Sequence, residues 1–146
     1  MKKIVECVPN FSEGRDRKII DEITRAIEAV DGINLADVDP GAETNRTVVT
    51  FFGEPEKVEE AAFRGIAKAA ELIDMSKQHG SHPRMGATDV CPFIPVQGVT
   101  MEECVEISKR VGKRVAEELK IPVYLYEYAA KNEARRNLAN IRRGEY

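Results

Sequence analysis

The chain has 146 residues, 25 acidic and 22 basic, and a formal net charge of −3. That length fits one compact domain with a real core and leaves no room for a second complete one, while the interleaved charges exclude a broad basic surface for nucleic acid or an anionic membrane. Three cysteines at irregular spacings, Cys7, Cys91 and Cys104, argue against a disulfide framework and for a reducing compartment. The N-terminal apolar run breaks at Glu6, too early for a signal peptide or a membrane span, so a cytoplasmic protein is expected.

Residues 4–8 read as a short strand, ended by Pro9-Asn10 and followed by the turn-prone Ser12-Glu13-Gly14. Ile19, Ile20, Ile23, Ala26, Ile27 and Val30 recur at helical steps and predict a helix closing near Asp31-Gly32. Strands are expected at 33–39 and 47–52, joined as an antiparallel hairpin through Pro40-Gly41-Ala42-Glu43. Pro55 opens a second helix whose stripe is Val58, Ala61, Ala62, Ile66, Ala69, Ala70 and Ile73. A strand at 90–96 carries prolines that suggest an edge or irregular pairing. Thr100 and Glu103 then stand in capping-box spacing before a third helix bearing Cys104, Ile107, Val111, Val115 and Leu119. A last strand at 122–126 and a short polar helix at 131–139 complete the reading. The order β-α-β-β-α-β defines an α+β domain over residues 1–146, with helices on one face of the sheet and an extra C-terminal α-β extension.

Alternation along strands puts Glu6, Val8 and Asn10 on one side, with Cys7 and Pro9 on the other. It likewise groups Asp37 with Asp39, Arg46 with Thr50, Asp89 with Cys91, and Leu125 with Glu127. The helix-free face is therefore expected to be polar, with Leu35, Val48 and Phe93 mixed in, an apolar content that calls for a cover. A merely solvated antiparallel face is the competing reading. Just before the 90–96 strand lies His82, held between Gly80-Ser81 and Pro83-Arg84. Its side chain titrates nearest neutral pH, which makes it a candidate proton-transfer group, against the ordinary alternative of a solvated or capping loop histidine. His79 and His82 are three apart, but Gly80-Ser81 interrupts any helix that would align them and no second ligand pair follows, so no metal is expected. Cys91 is more simply a small strand residue than a nucleophile.

Four ordered blocks carry a resemblance: Val5-Glu6-Cys7-Val8-Pro9-Asn10-Phe11-Ser12-Glu13-Gly14-Arg15; Asp37-Val38-Asp39 with Asn45-Arg46-Thr47-Val48-Val49-Thr50-Phe51; His82-Pro83-Arg84-Met85-Gly86-Ala87-Thr88-Asp89; and Ile141-Arg142-Arg143-Gly144-Glu145-Tyr146. The chain resembles the N-terminal half of glutamate formimidoyltransferase, the formiminotransferase part of formiminotransferase-cyclodeaminase, along nearly its whole length. The resemblance implies a ferredoxin-like subdomain that pairs with a similar second one, the two sheets enclosing a folate. It also implies transfer of a formimino group from N-formimino-L-glutamate to tetrahydrofolate, with tetrahydrofolate as co-substrate, in histidine degradation and one-carbon metabolism. In that family the chain continues past the Arg-Arg-Gly-Glu-Tyr position into the second subdomain, which is not expected within these 146 residues. A homodimer or a complementary second-subdomain chain is therefore expected to cover the open face.

By the same resemblance the catalytic histidine falls on His82, serving as base for the folate amine and acid for the departing glutamate nitrogen. Asp39 is the expected orienter of its imidazole, with Asp37 and Asp89 behind it; a turn cap before Pro40-Gly41 is the alternative for Asp39. Arg46 and Arg84 are expected to clamp the substrate carboxylates, against a reading as solvated surface cations. Asn10 and, more weakly, Glu127 are expected to contact substrate, a turn role being equally open to Asn10. The competing function is a non-catalytic folate-binding or subunit-assembly module that uses the same sheet face.

Overall fold

The computed structural model describes residues 2–73 and 87–120. Its elements run β1 (Ile4–Cys7), β2 (Asn10–Phe11), α1 (Arg17–Glu28), β3 (Asn34–Gly41), β4 (Arg46–Gly53), α2 (Pro55–Leu72), β5 (Thr88–Val90), β6 (Phe93–Gln97) and α3 (Met101–Arg114), with a π-helical turn at Val115–Leu119. The expected strand at 122–126 and helix at 131–139 lie outside the described residues.

Four of these strands are the halves of two longer, interrupted ones. β1 and β2 keep a single register against β4, from Val5 opposite Gly53 to Phe11 opposite Thr47. On their other side, β6 and β5 flank β1 and β2 in turn, broken at Cys91-Pro92 and shifted at two points. The prolines explain the break, since neither Pro9 nor Pro92 offers an N–H to a ladder. β3 pairs with the far edge of β4, so the sheet reads β3, β4, β1/β2, β5/β6, antiparallel throughout. This is an α+β domain whose chain order agrees with the split β-α-β reading.

The helices stack on one face. Each has a reason to start where it does: Asp16 Oδ1 accepts the Lys18 N–H before α1, Pro55 occupies the first turn of α2, and Thr100 and Glu103 form the expected capping box before α3. α1 turns Ile20, Ile23 and Ile27 inward, and α3 turns Cys104, Ile107 and Val111 inward. Against them the sheet presents Val5, Cys7, Phe11, Val49 and Phe51, all at most 1% exposed. Each large side chain so buried contributes about 1.5–3 kcal/mol of transfer free energy. α2 lies between the other two helices, which widens its buried arc beyond the expected stripe. Phe63 and Gly65 join that arc, whereas Ala70 is exposed. Gly65 lets α1 approach, because a Cβ there would sit 3.0 Å from Ile27 Cδ1.

The hairpin turn falls later than expected. Pro40 and Gly41 still pair with Thr47 and Arg46, so the reversal occupies Ala42 to Asn45, and Asn45 takes the left-handed conformation at φ 52°. A bulge between Leu35 and Asp37 inserts Ala36 and reverses the alternation of β3 at that point.

Candidate active site

With all three helices on one side, the opposite sheet face has no helical cover among the described residues. Register assigns its occupants. Asp39, Val48, Asn10 and Val90 stand abreast across four strands; Asn34, Phe52, Glu6 and Ile94 form a second row, and Asp37 lies beside Thr50 between them. The face therefore mixes carboxylates and amides with apolar side chains, and Ile94 is 40% exposed there. Val48 sits on it as expected. Leu35 and Phe93 do not: they pair with Phe51 and Cys7 and pack against the core. For Leu35 the cause is the Ala36 bulge, which sends Leu35 to the helix side and Asp37 to the open side. Cys91 also packs on the helix side, against Cys7, rather than with the polar groups.

Asp39 is exposed and sits within β3, two residues before the strand ends. The turn begins after Gly41, so a turn-cap role for Asp39 has no structural basis. Asp39 and Asn10 occupy one face two strand spacings apart, about 10 Å between backbones, with Val48 between them. Asn10 is only 8% exposed, and its Nδ2 donates to the Val8 carbonyl at 3.1 Å, which fixes the amide against its own strand. Arg46 starts β4 opposite Gly41, two residues from Val48 and on the same face. His82, Arg84 and Glu127 lie outside the described residues, as does His79. Asp89 falls in β5, between Thr88 and Val90.

A buried polar cluster beside this face escaped the sequence reading. Ser12, Glu13, Asn45 and Thr47 are each at most 5% exposed. The Glu13 carboxylate accepts the N–H groups of Arg15 and Asp16 at 3.1 and 2.9 Å, while the Thr47 hydroxyl donates to the Glu13 carbonyl. Asn45 Oδ1 accepts the Gly14 N–H at 2.9 Å, Arg15 Nε donates to the Ala42 carbonyl at 2.7 Å, and the Ser12 N–H donates to the Ala87 carbonyl at 2.8 Å. The loop after β2 thus ties together the β3–β4 turn and the entry to β5, and at Gly14 it runs so close to Arg46 that a Cβ there would lie 2.6 Å from the Arg46 nitrogen. A signal was present: a carboxylate, a hydroxyl and a glycine directly after a strand offer more hydrogen-bonding capacity than a plain turn needs.

Among the described residues no group of three His, Cys, Asp or Glu side chains could hold a metal ion. What the arrangement can do is hold a polar ligand flat on the sheet, with a carboxylate at one end of the row and an amide near the other.

Among the described residues, fold and face define an α+β domain with its helices on one side of the sheet and polar groups in register on the other. The chain matches the formiminotransferase domain, N-terminal subdomain, over residues 4–146, and it belongs to that family. It is 59% identical over its whole length to formimidoyltransferase-cyclodeaminase of Mus musculus, of which it covers 27%. It is 49% identical over its whole length to glutamate formimidoyltransferase of Streptococcus pyogenes serotype M1, covering 49% of that protein. With the glutamate formimidoyltransferase of Thermoplasma acidophilum it shares 52% identity over 95% of its own length and 46% of the relative's. The chain thus spans about half the length of the glutamate formimidoyltransferases and about a quarter of the formimidoyltransferase-cyclodeaminases it matches.

Proposed function

We propose that this chain forms one wall of a glutamate formimidoyltransferase site, with a ferredoxin-like sheet whose open face lies against tetrahydrofolate. It transfers the formimino group of N-formimino-L-glutamate to that co-substrate, a step of histidine degradation and one-carbon metabolism. The observation that carries the reading is the placement of Asp39, Asn10 and Arg46 on the one sheet face that no described helix covers, in a chain whose family match runs through the His82-Pro83-Arg84-Met85-Gly86 block.

The chemistry needs few groups. The folate amine attacks the amidine carbon of the donor, and its proton passes to the His82 imidazole. Collapse of the tetrahedral adduct breaks the bond to the glutamate nitrogen, which receives the proton from His82 and leaves as the free amine of glutamate. In this reading Asp39 accepts the second imidazole N–H, which fixes the tautomer and favours the imidazolium that forms in between. Arg46 and Arg84 hold the donor carboxylates, a task suited to the planar guanidinium fork, and Asn10 and Glu127 contact substrate.

A flat wall leaves a ligand open to water on its other side. The second wall comes from a complementary second subdomain or, for the chain by itself, from a second copy in a homodimer. A cytoplasmic setting suits the three unbridged thiols.

The test measures formimino transfer by the chain alone and mixed with a complementary second subdomain, beside a His82→Ala variant. Turnover in the mixture that the variant abolishes is expected. Equal turnover by the variant removes the mechanism. Folate binding without transfer in the mixture would establish a binding module instead.

A further inference from the structure

Cys7 and Cys91 are 84 residues apart in sequence, yet their sulfurs lie 3.6 Å apart on the helix side of the sheet, the face opposite the proposed site. Register explains the meeting. Cys7 pairs with Phe93 and Asn10 with Val90, so Cys91 falls opposite Pro9 and diagonal to Cys7 on the same face. Diagonal neighbours stand somewhat farther apart than the backbone separation a disulfide prefers, so closing a bond requires the strand to give. The ladder is thin at this point, because Pro9 and Pro92 lack N–H groups and the Val8 N–H to the Pro92 carbonyl, at 3.2 Å, spans the break. Cys7 is fully buried and Cys91 half-buried. Cys104, the remaining thiol, is buried on α3.

We propose that Cys7 and Cys91 form a reversible dithiol/disulfide site, oxidised by a hydroperoxide, that pins the β5–β6 junction to the central strand. The half-buried Cys91 meets the oxidant first. Its sulfur attacks the peroxide oxygen and the O–O bond breaks; Cys91 becomes a sulfenic acid, and the departing oxygen takes the Cys91 thiol proton and leaves as an alcohol or water. The Cys7 sulfur then attacks the Cys91 sulfur. An S–S bond forms, the S–O bond breaks, and the hydroxide leaves as water with the Cys7 proton. Two electrons pass from the two thiols to the peroxide, and exchange with an external dithiol returns them. Burial pushes the Cys7 thiol up and shields it from the oxidant, so Cys91 reacts first. What suits Cys7 to the resolving step is its sulfur's position 3.6 Å from that of Cys91, with its proton leaving on the departing hydroxide.

The experiment treats the full chain with hydrogen peroxide at neutral pH and maps its peptides by mass spectrometry without reduction. The expected result is a Cys7 peptide joined to a Cys91 peptide with loss of two hydrogens, reversed by dithiothreitol, with Cys104 still a thiol. Replacement of Cys7 by alanine should leave Cys91 as a sulfenic acid that dimedone traps, and Cys91→Ser should abolish linkage. The wild-type map stands even where a variant fails to fold. Oxidation of Cys91 to sulfinic acid without linkage, a bond to Cys104 or between chains, or no reaction of Cys91 would each overturn the proposal.

Discussion

Asn45 Oδ1 accepts the backbone N–H of Gly14 at 2.9 Å, joining two turns that are 31 residues apart in sequence. The contact is tight because Gly14 has no side chain. A Cβ there would lie 2.2 Å from the Gly41 carbonyl oxygen and 2.6 Å from the Arg46 nitrogen, both backbone atoms of the hairpin. The end of β4 that carries Arg46 is thus positioned by a loop remote in sequence.

Gly14→Ala should destabilise the domain by about 3 kcal/mol, near the upper end for overpacking, since backbone rather than a flexible side chain must move. Asn45→Ala should cost about 2–3 kcal/mol, combining an orphaned buried N–H with a left-handed residue that asparagine tolerates better than alanine. Urea midpoints measure both. A Gly14→Ala midpoint equal to that of the parent would show that the two turns part freely.

Asp39→Asn should leave thermal stability unchanged, because the side chain is exposed. In the two-subdomain mixture kcat should fall by roughly 100-fold, the lower end of what an acid–base arrangement supplies. Steady-state kinetics with a parallel melting curve decide it, and a kcat within twofold of the parent would remove Asp39 from the proposed site.

Arg114 sits 3.7 Å above the Phe63 ring and pairs with Glu60 at 2.7 Å and Glu118 at 3.0 Å, which ties α3 to α2. Arg114→Ala should cost about 1–2 kcal/mol, a modest figure because these groups are partly exposed. The Arg114 hydrogen bond, aided by Arg64 and opposed by burial, holds the Glu60 carboxyl below the usual carboxylate range. A depressed folded pKa adds stability that is present above the unfolded value of about 4.3 and is lost as pH falls through the folded one. Glu60→Gln should therefore flatten the acid limb of stability against pH, read from urea midpoints below neutrality. An acid limb as steep as the parent's would exclude this pair as its source.

Cys7 has the opposite sign. Burial, then its contact with Cys91, pushes the Cys7 thiol well above its ordinary range. The folded state keeps a proton that the unfolded thiol releases, so this contribution is complete below the unfolded thiol pKa of about 8.5 and declines as pH rises above it. The parent should lose stability on going from neutral pH into the alkaline range, and Cys7→Ala should lose less over the same interval. Parallel slopes would assign the alkaline loss to other groups.

Thr100→Ala removes the hydroxyl that accepts the Glu103 N–H at 3.1 Å and should cost about 1 kcal/mol. Recovery with Thr100→Ser identifies the cap as the cause. Failure of serine to restore stability would point to packing by the threonine methyl.

Periodicity exposed the helices and most strands because burial repeats with the geometry of each element. The α1 stripe at Ile20, Ile23 and Ile27 and the capping box at Thr100 were legible for that reason. Open-face positions Glu6, Val8 and Asn10 were legible too, since the register from Val5 to Phe11 is unbroken. Leu35 was misassigned because a bulge shifts one strand against another, and nothing in residues 33–39 alone marks Ala36 as the inserted residue. Phe63 and Gly65 escaped because the buried arc of α2 depends on having a helix on each side.

Local chemistry in the sequence determined where α2 and α3 begin, which residues are candidates to carry a proton or clamp a carboxylate, and, through its four blocks, the family. Only the tertiary structure decided which residues share a face: it put Asp39 in a row with Asn10, moved Leu35, Cys91 and Phe93 to the helix side, and made Ser12-Glu13-Gly14 the lock on the Arg46 turn. The physical reason is range. Capping and periodicity act within a few residues, whereas register, bulges and close backbone approach are set by packing between segments that the sequence lists far apart.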